Sequence, residues 1–436
     1  MTSQVTESRS SDQKTRRRSS RIIVGGLCVV IVLAGLIFGK SVWITFCQWQ
    51  AERNLQSRDA EAALSWISKA YQADSQNTET LLILARAHRR AHDVEPAVKY
   101  LKMLFKRAGP SEELHREQWL VEAQVGDLTN LEQHLADMLI DPRGHAQDIC
   151  ETFVNSCILN YRFHDAIRMI EVWQADFPND PLPHYYHGRI LEHQGDWENA
   201  ANEFNAALKI SPEHIPSAYN LARVKLSHNQ VDAALENYQQ CTKNQKEHAA
   251  ALVGIARCLR MKQDADAARE VLKQAQQVPE QQRLKDFRTV GDPAYVARNA
   301  ILLELGQLEL SSGNYKQAVS DLEEAIKLNP KDRKARLALA DAYRGSGMLE
   351  KAEQQIQIVQ KTQQAIKRLD ECFDLLQKDL DNADLRAEIG QIFLEHISEN
   401  QGVVWLKNAL YYNPQHQQAK QALDDYYAKQ RSRATQ

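Results

Sequence analysis

Glycine, proline and aromatic residues are all scarce in this sequence. The 436 residues include 17 Gly and 12 Pro, and aromatic side chains make up 7% of the chain. This composition argues against a β-sandwich, a collagen-like chain or a low-complexity polymer, and favours a mostly helical protein. The seven cysteines contain no Cys-x-x-Cys pair, which excludes a disulfide-dense scaffold and the common zinc-ribbon spacings.

The sequence also lacks a large excess of charge of either sign. The 54 basic and 57 acidic residues leave a net charge of −3, so the chain is not a globally basic nucleic-acid binder. No Ser/His/Asp or Cys/His arrangement stands out. His88 with His92, and His184 with His187, are spaced for one helix face, but neither pair has the glutamate of a His-Glu-x-x-His motif. We therefore expect no enzymatic activity, no metal and no cofactor.

The longest uncharged run of the chain covers residues 22–39. As a helix it would span about 27 Å, close to the thickness of the hydrocarbon core of a bilayer. A cleaved signal peptide would have a shorter apolar core and then a small-x-small cleavage site. This run instead leads into Trp43, Phe46 and Trp49, which are typical of a membrane interface. The sequence thus predicts an uncleaved transmembrane signal anchor over residues 22–39.

The orientation of this anchor follows from the basic residues on its two sides. Residues 1–21 contain six Lys or Arg side chains, whereas residues 40–59 contain three. The positive-inside rule therefore places the N-terminus in the cytoplasm and the rest of the chain outside it, on the periplasmic side of a bacterial inner membrane. The segment 1–21, rich in Ser, Thr, Arg and Gln, is predicted to be a disordered basic cytoplasmic tail.

The remainder of the chain repeats a pattern of 34 residues. The clearest unit runs from Pro181 to Pro212 and contains Gly188, Ala200 and Phe204 at the spacing of a helix hairpin. This unit closely resembles the tetratricopeptide repeat (TPR) family. With Ala200 counted as position 20, a small residue holds this position in all other units except the third, which has Leu131. These residues are Ala63, Ala97, Ala166, Ala234, Ala268, Ala318, Ala352 and Gly402.

The resemblance implies an all-α fold, a right-handed TPR solenoid of about ten helix pairs over residues 44–416, preceded by the transmembrane helix. Small residues at positions 8 and 20 let the two helices of a unit approach closely. A large apolar residue at position 24, such as Phe204, fills the space between them.

Two units are 50 residues long, with insertions near 279–294 and 361–380. The first insertion looks like a loop. The second extends the helix that contains Ala352 to near Leu380, because no Gly or Pro interrupts it. This long helix either packs on the solenoid or projects as a docking arm. A final helix over residues 417–430 resembles the polar-backed cap that repeat stacks need.

The resemblance also implies where a partner binds. The first helices of TPR units line a concave face, where positions 5 and 9 are exposed to ligand. The Lys/Asn carboxylate clamp of chaperone-binding members is incomplete here, because Ala250 and Gly254 occupy two of its positions. Arg and Tyr at the exposed positions are typical of binding hot spots, so we expect a protein or peptide partner, with an acidic or carboxylate-bearing extended segment. The predicted binding residues are Arg86, Tyr185, Arg189, Tyr219, Arg223 and Arg257.

These features together predict a non-enzymatic, membrane-anchored TPR scaffold or adaptor that acts in the assembly of envelope protein complexes. The alternative is a regulatory TPR subunit that controls a membrane-associated enzyme of envelope biogenesis. The anchored TPR proteins of lipopolysaccharide control, which suggest this alternative, end in a four-Cys metal module that this sequence lacks. Whether Cys241 and Cys258 form a disulfide, and whether the chain forms oligomers, is left open by the sequence.

Overall fold

A computed structural model of the chain describes residues 39–434, and every regular element in that range is a helix. The predicted tail 1–21 and all but the last residue of the predicted anchor 22–39 lie outside the described residues. Among the helices described, none is both long and apolar enough to cross a bilayer. The chain divides into two compact units, with the boundary between Val121 and Glu122.

The first unit consists of two helix hairpins and most of a fifth helix. Each described hairpin turns within a few residues, and Asp59 and Asn77 cap the helices that follow them by accepting backbone N–H groups of Ala62 and Thr80. The helices are α1 at residues 39–56, α2 at Ala60–Ala73, α3 at Thr78–Arg90, α4 at Val94–Ala108, and α5 at Glu112–Gln124, which crosses the unit boundary.

The second unit continues the series of antiparallel hairpins. Its helices are α6 at Thr129–Ile140, α7 at Ala146–Leu159, α8 at Phe163–Asp176, α9 at Leu182–His193, α10 at Trp197–Ile210, α11 at Ile215–Ser227, α12 at Val231–Asn244, α13 at Ala249–Met261, α14 at Ala265–Gln277, α15 at Glu280–Thr289, α16 at Ala294–Ser311, α17 at Tyr315–Leu328, α18 at Arg333–Gly345, α19 at Leu349–Leu376, α20 at Ala383–Ile392, a π-helical turn at Phe393–Ile397, α21 at Glu399–Tyr412 and α22 at Gln417–Ala434.

The hairpins close in the way that the repeat pattern predicts. The small residues at position 20 are buried throughout, and Phe204 at position 24 lies against Gly188 at position 8. A methyl group on Gly188 would approach the Phe204 ring to within 2.7 Å, so only glycine fits this close helix contact. Burial of one such large apolar side chain stabilises the fold by about 1.5–3 kcal/mol. The prediction of an all-helical fold built from repeated hairpins is confirmed for the described residues.

The first insertion contains a helix, α15, where the sequence predicts a loop. Phe287 and Val290, three residues apart, are 2% and 0% exposed, and α15 contacts α13 and α16. Pro279 directly precedes the helix, and Gly291 follows it with φ +88°, a conformation that favours glycine. The helix forms because these two apolar side chains become buried in the hydrophobic core.

The second insertion lengthens α19 to 28 residues, and the helix ends four residues before Leu380. The buried side chains of Leu369 and Leu376 pack with Phe393 and Trp405, while Leu380 is 60% exposed. In the structure the C-terminal part of α19 is therefore part of the core and does not project as a docking arm.

The second unit curls so that its early and late hairpins touch. The ring of Tyr161, in the turn after α7, stacks on that of Phe373 in α19 with centroids 4.0 Å apart. Gln133 donates a hydrogen bond of 3.3 Å to the hydroxyl of Tyr411, 278 positions later. The first helices of the hairpins consequently face α19 and the π-helical turn across an interior space. At the end of the unit, Ala419 and Leu423 of α22 are buried with residues of α20 and α21.

Candidate partner-binding site

Five of the six predicted binding residues lie on consecutive first helices of the second unit. Arg189, Arg223 and Arg257 lie on α9, α11 and α13, and Tyr185 and Tyr219 lie one turn before the first two arginines. Because the three helices occupy equivalent places in successive hairpins, their side chains form one wall of the interior space.

Arg86, the sixth predicted residue, belongs to the first unit. Its guanidinium binds Glu52 at 2.6 Å and Glu117 at 3.3 Å, and only 13% of its side chain is exposed. Glu117 also accepts a hydrogen bond from the buried Arg89. These ion pairs join α1, α3 and α5, so Arg86 has a structural role within its own unit.

The wall formed by α9 and α11 holds the segment that follows α15. Arg189 donates a hydrogen bond of 3.4 Å to the backbone oxygen of Gly291, and Asn220 donates one of 3.0 Å to that of Val290. Asp292 then accepts hydrogen bonds of 3.1 Å each from the Tyr219 hydroxyl and from Arg223. Three of the residues expected to bind a partner, Arg189, Tyr219 and Arg223, thus bind one carbonyl and one carboxylate of their own chain, and Asn220 binds a second carbonyl.

The arginines of the wall are also paired with glutamates of neighbouring helices. Arg223 binds both carboxylate oxygens of Glu192, at 2.9 and 2.5 Å, and Arg257 binds Glu304 at 2.6 Å. Burial opposes the charge of Arg223, but Glu192 and Asp292 outweigh it and raise its pKa above the usual arginine range. Glu304 raises the pKa of Arg257 in the same way. Both guanidiniums therefore stay charged in the interior.

Two adjoining cavities remain open beside this wall. The larger, of about 370 Å³, lies between Val253 of α13 on one side and Ile366 and Ile397 on the other. The smaller, of about 280 Å³, extends towards Arg260 and Met261. The two cavities share four lining residues, which are Arg223, Arg257, Leu303 and Lys334.

Lys334 is one residue of this site that is absent from the sequence-based prediction. It lies on α18 at position 2 of the ninth repeat, a position that faces ligand in the TPR family, so the same counting applied to that unit would have found it. Its side chain is exposed in the interior space, and its ammonium group has no hydrogen bond or ion pair with residues 39–434. Desolvation lowers the pKa of Lys334, and the charges of Arg257 and Arg223 lower it further.

Neither a metal-binding cluster nor a disulfide occurs among residues 39–434. No group of three or more His, Cys, Asp or Glu side chains in the described range could hold a metal ion. His184 and His187 both contact the carboxylate of Glu203, at 2.7 and 3.1 Å. Cys241 and Cys258 are buried free thiols in the structure, and burial raises the pKa of Cys241 to about 12 and that of Cys258 to about 11.

The hairpins, their close contacts at positions 8 and 24 and the concave wall define a helical-repeat protein. Comparison with family models identifies the repeat. A tetratricopeptide repeat model matches residues 162–215 and 219–281, and a second tetratricopeptide repeat model matches residues 309–369. Together these ranges cover less than half of the chain. These matched ranges therefore contain tetratricopeptide repeats.

Several solved structures resemble the chain at low identity. The crystal structure of YrrB, described as a TPR protein with an unusual peptide-binding site, is 20% identical, covers 51% of this chain and 99% of its own, and has a TM-score of 0.26. Human IFIT1, solved as a dimer with m7Gppp-AAAA, is 14% identical over 76% of this chain and 90% of its own, with a TM-score of 0.44. Pseudomonas aeruginosa pilF is 17% identical over 56% and 97%, with a TM-score of 0.33. Comparison with curated proteins gave no match.

Proposed function

We propose that this chain is a non-enzymatic scaffold or adaptor that binds an extended acidic segment of a partner protein in the concave face of its second unit. One observation carries the proposal. The α9–α11 wall already binds a peptide segment, residues 290–292, through two backbone carbonyls and one carboxylate. A partner peptide offers the same groups.

The chemistry of the wall suits such a ligand. Arginine presents a planar fork of donors to carboxylate and carbonyl oxygens, and tyrosine adds a hydroxyl donor with a large apolar face. The chain as a whole is slightly acidic, with a net charge of −3. Arg223, Arg257 and Lys334 nevertheless line both open cavities, and electrostatic attraction favours an acidic segment.

The scaffold is proposed to be anchored in a membrane by residues 22–39, with a cytoplasmic N-terminus and the repeats on the periplasmic side of a bacterial inner membrane. The apolar run and its basic flank support this placement. Directly after the run, Trp43, Phe46 and Trp49 of α1 are 43%, 41% and 54% exposed. Such a row of exposed aromatic side chains suits the interface of a bilayer.

A reporter fused to the C-terminus tests the topology. A reporter that is active only in the cytoplasm should be inactive in this fusion, and the same reporter inserted after Met1 should be active. Activity of the C-terminal fusion would refute the proposed orientation.

Site-specific photocrosslinking from the full-length chain in membranes tests the binding face. A photoreactive residue at Met261, 40% exposed and lining the smaller cavity, should give a defined crosslinked partner. Val172, 53% exposed on α8, is the matched control outside the cavities. An excess of an acidic peptide should suppress the Met261 product. Equal products from both positions, or none from Met261, would contradict the proposal.

A further inference from the structure

The larger cavity carries an excess of positive charge. Its lining includes five Lys or Arg residues and two Asp residues. Both carboxylates are already engaged, since Asp292 is bound by Arg223 and Tyr219, and Asp332 accepts from Asn299 and from backbone N–H groups at the start of α18. Arg223 and Arg257 are also paired with Glu192 and Glu304, whereas the ammonium group of Lys334 has no hydrogen bond or ion pair with residues 39–434.

Two donor groups that line the neighbouring smaller cavity also lack an acceptor among the described residues. Glu304 is shared by Arg257 and Arg260, at 2.6 and 3.2 Å. The Nε of Arg260 is buried and has no hydrogen-bond partner among the residues described. Lys334, between the two cavities, likewise has no partner for its ammonium group. A group with free acceptor oxygens, such as a carboxylate, matches these donors.

Aliphatic side chains line the larger cavity from both sides. Val253 and Leu303 come from the first helices α13 and α16, and Ile366 and Ile397 come from α19 and the π-helical turn across the interior. Its volume of about 370 Å³ lies within the range of about 300–1,000 Å³ that is usual for ligand pockets. The cavity therefore combines a cationic edge with an aliphatic floor.

We infer that Lys334, with Arg257 and Arg223, binds the carboxylate of an acidic side chain in a partner segment, and that the larger cavity takes an aliphatic side chain two residues away. This inference rests on the proposed function and specifies which side chains the partner segment contains. In an extended segment, side chains two positions apart point to the same side and lie about 7 Å apart. An acidic–x–aliphatic sequence can therefore reach the cations and the apolar floor together. The adjoining smaller cavity leaves room for the segment to continue.

A defined peptide tests this specificity. The probe is fluorescein-labelled Gly-Ser-Gly-Glu-Ser-Leu-Gly-Ser with an amidated C-terminus, titrated against the full-length chain in detergent and followed by fluorescence polarisation. Replacing Glu by Gln, or Leu by Ser, should each weaken binding at least tenfold. Equal binding of the Gln peptide would overturn the carboxylate site, and equal binding of the Ser peptide would overturn the aliphatic one.

The protein side of the test compares Lys334→Ala with Lys316→Ala. Lys316 is exposed on α17 and lines neither of the two cavities, so its variant should bind as the wild type does. Lys334→Ala should weaken the Glu peptide at least fivefold and leave the Gln peptide unchanged. An unchanged affinity for the Glu peptide would overturn the assignment of Lys334.

An NMR titration of the dimethylated lysine ammonium gives a readout that a purely structural role would not move. Bound carboxylate should raise the pKa of Lys334, because it adds a negative charge beside the ammonium. No shift on saturation with the peptide would contradict direct contact. If Met261 still crosslinks a partner while Lys334→Ala has no effect, this inference fails and the proposed function stands. If neither the peptide nor a partner binds in the cavities, both fail.

Discussion

Asp292→Asn should make the second unit slightly less stable and yet a tighter binder of acidic peptides. Asp292 holds Arg223 at 3.1 Å and accepts from the Tyr219 hydroxyl at 3.1 Å. Asparagine keeps the size of the side chain and one acceptor oxygen but removes the charge. Arg223 also retains both of its bonds to Glu192, so the change leaves no buried cation without a partner.

The two effects have different magnitudes and opposite signs. Exchange of a charged for a neutral hydrogen-bond acceptor costs about 1 kcal/mol of stability, which lowers the Tm of a helical domain of this size by about 2 °C. Removal of a unit charge about 8 Å from a bound carboxylate favours binding by about 1 kcal/mol at an effective dielectric constant of about 40. That energy corresponds to an affinity about fivefold higher.

The assay combines calorimetry with polarisation titrations of the Glu-containing peptide at low and high salt. The gain in affinity should shrink at high salt, because screening weakens the interaction. Asp232→Asn is the matched control, since Asp232 is 82% exposed on α12 and pairs with Lys262. An unchanged or weaker affinity in folded Asp292→Asn would refute the reasoning. An equal gain in the control would show that only the net charge matters.

Three further changes test the fold and the site. Gly188→Ala should destabilise the second unit by about 1–3 kcal/mol in denaturant unfolding, because its methyl group would lie 2.7 Å from the Phe204 ring. Phe204→Leu in the same chain should restore part of the lost stability. Full stability of the single variant would contradict the close contact. Tyr161→Ala should lower the free energy of unfolding by about 2 kcal/mol, because it removes the ring that stacks on Phe373. Hydrogen exchange should then become faster at the C-terminal end of α19. Unchanged exchange there would show that this contact does not keep the early and late hairpins together. Burial and the charge of Arg189 lower the pKa of His193 from 6.5 to about 4. Between these two pH values the unfolded chain therefore binds more protons than the folded chain. The stability of the fold should consequently fall as the pH falls through this window. An NMR titration of the His193 ring with a midpoint near 6.5 would contradict that prediction, and Arg189→Gln should raise the midpoint.

The hairpins themselves follow from local sequence. Gly188 and Phe204 are only 16 positions apart, and the contact between them is repeated by Gly306 with Leu322 and by Gly390 with Leu406. Each hairpin buries its own small and large residues, so the spacing of a single repeat is enough to predict it. The pattern is weakest where the residue at position 24 is only half-buried, as for Leu135 in α6 and Ile356 in α19.

The sequence by itself thus determined the helical hairpins and the repeat spacing, and it predicted five of the residues that lie on the wall formed by α9, α11 and α13. Only the tertiary structure decided what those residues touch. Arg223 meets Asp292 from 69 positions away, and Arg189 meets Gly291 from 102 positions away. The helix in the first insertion and the lack of a partner for the Lys334 ammonium group also depend on long-range tertiary contacts. Such contacts depend on the curvature of the array, which sums many small rotations between neighbouring repeats. No single repeat contains that sum, and so no local pattern could show that the chain fills part of its own groove and leaves the cavity beside Lys334 open.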